Sequence, residues 1–198
     1  MPTVVSHKHK LIFAHIPRTG GTSVFNAIKP HLGDKDLFDG PIETHVTMRL
    51  LKTCLRPRGA LKEYKKFSIV RNPLYRFLSQ FQGVLDRSTI EQVVSDLLRK
   101  VKRNDHDYWR SATEYLCDGQ DMMVDKVFKL EDGFDSVVQF LNASGIPVEK
   151  IGKDNIGKKS NGKMSYYQEQ LYSLEPWVFE GIKQVYREDY ERFGYVES

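Results

Sequence analysis

Short apolar runs alternating with amphipathic helical stretches predict an α/β fold with a central, mainly parallel sheet flanked by helices. Three observations support that class. Leu11-Ile12-Phe13-Ala14 and Phe67-Ser68-Ile69-Val70 are apolar runs of strand length, and each leads into a helical pattern. Ile90, Val93, Val94, Leu97, Leu98 and Val101 recur at helical spacing. No internal repeat, low-complexity tract or long linker breaks the chain, so one domain over residues 1–198 is expected.

Each element has its own signal. The first strand lies between a basic segment and Pro17, followed by a loop from His15 to Gly21. A helix then runs from Thr22 to His31, with Val24, Phe25, Ile28 and Leu32 on one side. The second strand ends at Arg71-Asn72-Pro73, where Asn suits an N-cap and Pro the first helical position. The helix starting there is expected to bury Leu74, Phe77, Leu78, Phe81 and Leu85, turning Asn72, Arg76 and Ser79 to a polar side. Ser88-Thr89-Ile90-Glu91 reads as a capping box for the next helix. A strand from Val124 to Leu130 leads to Glu131, and a helix near residues 135–143 ends at Gly145. Residues 151–163 form a Gly/Lys/Asn loop. The last helical part starts at Glu175-Pro176 and buries Val178, Phe179, Ile182, Val185 and Tyr186.

Composition removes several classes. The 198 residues are 40% hydrophobic, 12% aromatic and 28% charged, which is incompatible with wholesale disorder. No apolar run approaches the roughly 20 residues of a membrane span, and the N-terminus lacks the order of a signal peptide. A soluble, cytoplasmic protein is expected, unless the chain is a piece of a longer lumenal one. Cys54 and Cys117 sit in neither a CxxC nor a zinc spacing and read as buried thiols. The net charge of +4 is too small to argue for nucleic acid. Its placement says more: Lys62, Lys65, Lys66, Arg71 and Arg76 face only Glu63 over residues 62–76, and five lysines cluster over residues 150–163. Such concentration suits a compact anion.

The first strand, its loop and its helix form an anion site in outline. Gly20-Gly21 lets the backbone approach a ligand and turn N–H groups inward. The helix N-terminus adds a partial positive charge and unused donors. Thr19, Thr22 and Ser23 supply hydroxyls, and Arg18 a permanent cation. The loop is neither a Walker A sequence nor G-x-G-x-x-G. Taken alone, it also reads as a Gly-Gly turn before a capped helix.

Pro17-Arg18-Thr19-Gly20-Gly21-Thr22-Ser23 resembles the 5′-phosphosulfate loop of sulfotransferases that use 3′-phosphoadenosine 5′-phosphosulfate (PAPS). It is similar in particular to the carbohydrate-modifying branch that includes the heparan sulfate enzymes. Val70-Arg71-Asn72-Pro73-Leu74-Tyr75-Arg76-Phe77-Leu78-Ser79 resembles that family's 3′-phosphate motif. The two follow in the family's order, about 50 residues apart. Val127-Phe128-Lys129-Leu130-Glu131 and Asp189-Tyr190-Glu191-Arg192-Phe193-Gly194-Tyr195 resemble the later strand and the C-terminal ending more loosely.

The resemblance implies a P-loop-like, three-layer fold and sulfuryl transfer from PAPS to an acceptor hydroxyl, releasing PAP. It implies that the backbone of Thr19, Gly20, Gly21, Thr22 and Ser23 cradles the 5′-phosphosulfate. Arg18 stands where lysine is common and would stabilise charge on the leaving group, without serving as a proton donor. Arg71 and Ser79 would bind the 3′-phosphate, with Arg76 a structural or secondary partner. His45, in Glu43-Thr44-His45-Val46-Thr47, is the candidate base, since imidazole titrates near neutrality. It also reads as a capping or packing residue, and Glu43 is the alternative base. His15 reads as structural, and His106 as a possible acceptor contact. Ser160 and Lys163 lie in a basic loop that resembles the one closing over PAPS, though a solvated loop explains them nearly as well.

No metal site is expected. The acceptor is carbohydrate by resemblance alone, and a lipid, small alcohol or peptide tyrosine stays open. Two other classes compete. One is a nucleotide- or nucleic-acid-binding module without catalysis, which lacks a recognisable motif. The other is a kinase-like phosphotransferase, which would need a loop lysine and Mg²⁺. The sequence is silent on oligomeric state.

Overall fold

A computed structural model describes residues 3–33, 36, 45–55, 60–85, 89–102, 110–152 and 175–195. The chain divides into two compact units, residues 1–71 with 114–155 and residues 72–113 with 156–198.

The first unit is built on a four-stranded sheet. Its strands are β1 (Val4–Ser6), β2 (Leu11–Ala14), β3 (Lys65–Val70) and, after a two-stranded hairpin of β4 (Cys117–Asp118) and β5 (Asp121–Met122), β6 (Lys126–Lys129). The order is β1-β2-β3-β6. β2, β3 and β6 are parallel, and β1 is an antiparallel edge on β2. This is the α/β class predicted, with the mainly parallel sheet of a P-loop-like fold. The sequence reading missed β1, whose three residues are too short for a periodic signal.

Alternate side chains of the strands build the core. Leu11, Phe13, Phe67, Ile69 and Phe128 share a cluster with Val24, Phe25 and Ile28 of α1 (Gly21–Ile28) and with Val137 and Leu141, whose helix spans Asp135–Ala143. Phe13 stacks on Phe67 at 4.9 Å. The intervening residues Ile12, Ser68 and Val70 are equally buried, so the sheet is covered on both faces, as parallel sheets require. Ser68 turns its hydroxyl to the Ala14 carbonyl at 2.6 Å. A 3₁₀ turn over Lys29–His31 replaces the last turn expected of α1, because Pro30 offers no donor there.

Two short helices, α2 (Met48–Leu55) and α3 (Ala60–Glu63), precede β3. α2 buries Met48, Leu51 and Leu55. Cys54 lies off that stripe and is exposed, contrary to expectation, whereas Cys117 is buried.

The described residues of the second unit are mainly helical: α4 (Pro73–Leu85), α5 (Ile90–Lys102), the start of α6 (Ala112–Leu116, whose last three residues belong to the first unit) and, after the first unit's α7 (Asp135–Ala143), α8 (Pro176–Phe193). Phe77, Leu78, Ile90, Val93, Val94, Leu97, Val178, Ile182, Tyr186 and Tyr190 form its core. Asn72 caps α4 as predicted, its Oδ1 accepting the Leu74 N–H at 3.0 Å. The box at α5 sits one residue later than read. Thr89 Oγ1 accepts the Gln92 N–H while Gln92 Oε1 accepts the Thr89 N–H. The expected core positions Phe81, Leu85 and Val101 lie outside the described side chains.

Arg76 departs from the polar face assigned to it. It is buried, donates from Nη2 to the Arg110 carbonyl at 2.8 Å, and lies 3.9 Å from Asp189 Oδ2. Asp189 accepts the Ala112 and Thr113 N–H groups and the Thr113 hydroxyl at 2.7–2.8 Å. Burial pushes its carboxyl up, with Arg76 and these donors pulling against it. Among the described residues no helix is long and apolar enough to cross a membrane.

Candidate active site

Three parallel strands end on one edge of the sheet, where ligands bind in open α/β folds. β2 runs into His15 and the glycine loop, β3 into Arg71, and β6 into the 3₁₀ turn Leu130–Asp132. Ala14 pairs with Ser68, and Val70 with Lys129.

The paired glycines answer to different constraints. Gly20 caps α1 in the left-handed region, at φ 78°. A Cβ there would also meet Leu130 Cδ1 at 2.7 Å. Gly21 has an ordinary backbone, but a Cβ on it would lie 2.0 Å from His15 Cδ2. One glycine is therefore demanded by conformation and the other by the approach of a ring. The Gly20 carbonyl accepts the N–H of Ser23 at 3.1 Å and of Val24 at 3.4 Å. The Gly21 and Thr22 N–H groups stand at the start of an eight-residue helix, where intrahelical acceptors are lacking. The residues present therefore fit a phosphosulfate group: amide donors, a helix N-terminus and the exposed Arg18.

One detail differs from the sequence reading, and one lies beyond it. The Thr19 hydroxyl, expected to face an anion, is buried and donates to the Ile16 carbonyl at 2.9 Å. That bond closes the loop on itself, leaving Thr19 its backbone for a ligand. Arg18 adopts φ 68°, a left-handed conformation that few branched or long side chains hold. Arg71 Nη1 lies 3.4 Å from the Arg18 carbonyl oxygen, so the second motif reaches the first within one unit.

His45 lies beside the loop. Its ring centroid is 4.7 Å from that of His15, which stacks in turn on Phe13 at 5.7 Å. The capping role held open for His45 belongs to Thr47, whose Oγ1 accepts the Leu50 N–H at 3.2 Å. The structure thus gathers Arg18, Gly20, Gly21, His45 and Arg71 around one strand edge. Thr22 is half-buried and Ser23 buried on α1; Ser79 is half-buried on α4 of the second unit. Glu43, His106, Ser160 and Lys163 lie outside the described residues.

Two cations of the 62–76 segment form ion pairs within the fold, and Lys153, Lys158, Lys159 and Lys163 of the second cluster lie outside the described residues. Lys66 Nζ pairs with Asp125 at 3.0 Å, and Arg76 with Asp189. Of the charges singled out over residues 62–76, Arg71 contacts the glycine loop at the Arg18 carbonyl.

A family model described as the sulfotransferase family matches residues 1–196. No curated protein and no solved structure matches the chain.

Proposed function

This chain belongs to the sulfotransferase family and is a PAPS-dependent transferase, and we propose that it moves a sulfuryl group from PAPS to an acceptor hydroxyl, carbohydrate being the favoured class. The observation that carries the reading is the meeting of three groups at one strand edge. These are the left-handed Gly20 turn into α1, Arg71 at the Arg18 carbonyl, and the His45 ring beside the loop. Resemblance to the heparan sulfate branch supports the carbohydrate assignment. The reading treats residues 1–198 as one working domain.

In this reading the backbone from Thr19 to Ser23 cradles the 5′-phosphosulfate, with the Gly21 and Thr22 N–H groups as donors, the Ser23 N–H being held by the Gly20 carbonyl. The acceptor oxygen bonds to sulfur as the bond from sulfur to the 5′-phosphate oxygen breaks. His45 takes the acceptor proton, and Arg18 stabilises charge on the departing PAP. Arg71 holds the 3′-phosphate, and Ser79, Ser160 and Lys163 are assigned by motif to the same nucleotide. Glu43 is the alternative base.

Calorimetric titration with PAP and with ATP–Mg²⁺ separates this reading from a kinase-like one. Binding of PAP without ATP is expected, and the reverse would defeat the proposal. Sulfate transfer by His45→Ala then assigns the base: turnover should fall by about a hundredfold or more, leaving a residual rate, while PAP binding is kept. Loss on Glu43→Ala instead would move the role to Glu43.

A further inference from the structure

His15 looks like an ordinary core residue until its neighbours are set out. It is 5% exposed, at the point where β2 becomes the glycine loop. One side of its environment is the Phe13 ring, centroids 5.7 Å apart and planes 26° apart. The His45 ring lies at 4.7 Å, tilted by 57°. The third neighbour is Gly21, whose Cα comes so close that no Cβ could be added. One flat ring therefore touches the strand core, the turn read as cradling the phosphosulfate, and the imidazole read as the base.

We infer that His15 is a positioning residue whose ring acts as a spacer, seating the His45 imidazole at a set distance from the Gly20-Gly21 turn. This rests on the assignment of His45 as base. The physical reason is the tightness of the stack. Phe13 belongs to the sheet core and cannot retreat. Gly21 is held through the Gly20 turn, where Leu130 and Phe134 leave no room for so much as a Cβ. A ring confined between them defines where a third ring can rest, and a proton acceptor misplaced by an ångström loses much of its effect. It also gives a reason for glycine at position 21 that involves no ligand: the ring occupies the space a side chain would need.

The test compares His15→Leu, His15→Ala, His45→Ala and the double variant His15→Ala/His45→Ala. Each is followed by kcat for sulfate transfer from PAPS to a desulfated heparan oligosaccharide, by PAP titration and by thermal unfolding. Leucine fills about the same volume and satisfies a purely structural role, but has no flat face to seat a ring. The expectation is a fall in kcat of about tenfold or more for both His15 variants, with the PAP Kd within about threefold of the parent. In the His45→Ala background the His15 change should cost no more than about twofold, because its effect passes through the missing imidazole. Parental kcat in His15→Leu would overturn the inference, as would equal losses from His15→Ala with and without His45. Loss of both PAP binding and the unfolding transition in the two single His15 variants would mark a core role and overturn it too. Parental turnover in His45→Ala would sink the base assignment itself, an outcome distinct from the others.

Discussion

Arg71 Nη1 lies 3.4 Å from the carbonyl oxygen of Arg18, joining the residue after β3 to the middle of the glycine loop. The bond is long, but it gives one guanidinium two tasks in the proposed site: to steady the loop and to meet the 3′-phosphate. Lysine keeps the charge and loses the fork. Arg71→Lys should therefore weaken PAP binding by about tenfold, or about 1.4 kcal/mol. Calorimetry checks this, and a Kd equal to the parent's would show that charge alone suffices.

Arg18 offers a test of strain against function. Its φ of 68° is unfavourable for a residue with a Cβ and natural for glycine. Arg18→Gly should therefore be more stable than Arg18→Ala by about 1 kcal/mol in denaturant unfolding. Both should lose turnover alike, by about a hundredfold, since both remove the cation. Equal stabilities would mean that the loop relaxes away from this backbone conformation.

Gly21→Ala places a methyl group against His15 Cδ2, at 2.0 Å before any adjustment. The expected cost is about 2 kcal/mol of stability with weakened PAP binding. In a His15→Ala background the same substitution should cost less than about 1 kcal/mol, because the obstructing ring is gone. Thermal unfolding of the four proteins measures this coupling. Additive losses would locate the clash elsewhere.

Asp36 predicts the acid limb of stability. Burial tends to raise its carboxyl, but the Gly33 N–H, the Ser6 hydroxyl and the Lys8 and His7 N–H groups together outweigh it and hold the carboxyl below its ordinary value. A carboxyl lowered in the folded state contributes stability above its unfolded pKa of about 4 and loses it as the pH falls through the folded value. Asp36→Asn should cost about 1–2 kcal/mol at neutral pH. It should also flatten the fall in stability below about pH 4. An unchanged slope in urea unfolding across pH 2–7 would assign acid sensitivity to other groups.

Much of the fold was legible because local signals agreed. The Leu-Ile-Phe-Ala run became β2, Asn72-Pro73 opened α4, and the reading of residues 135–143 matched its helix in full. What escaped was short or set by distant partners. β1 exists because Val4–Ser6 finds an edge on β2. Arg76 looks like any polar-face arginine until Asp189, more than a hundred residues later, accepts its charge. Cys54 looked buried by residue type, but the register of α2 set it outward.

The candidate site divides the same way. The order of residues alone determined the strand–glycine loop–helix layout, the second basic motif and the family to which both belong, because these depend on spacing along the chain. Only the tertiary structure decided that Thr19 spends its hydroxyl on Ile16, that Arg71 reaches the Arg18 carbonyl, and that His15 rather than a ligand occupies the space beside Gly21. These are contacts between groups brought together by strand pairing and side-chain packing. A hydrogen bond or a steric limit acts over a few ångströms, and spacing in sequence does not reveal which groups will share them.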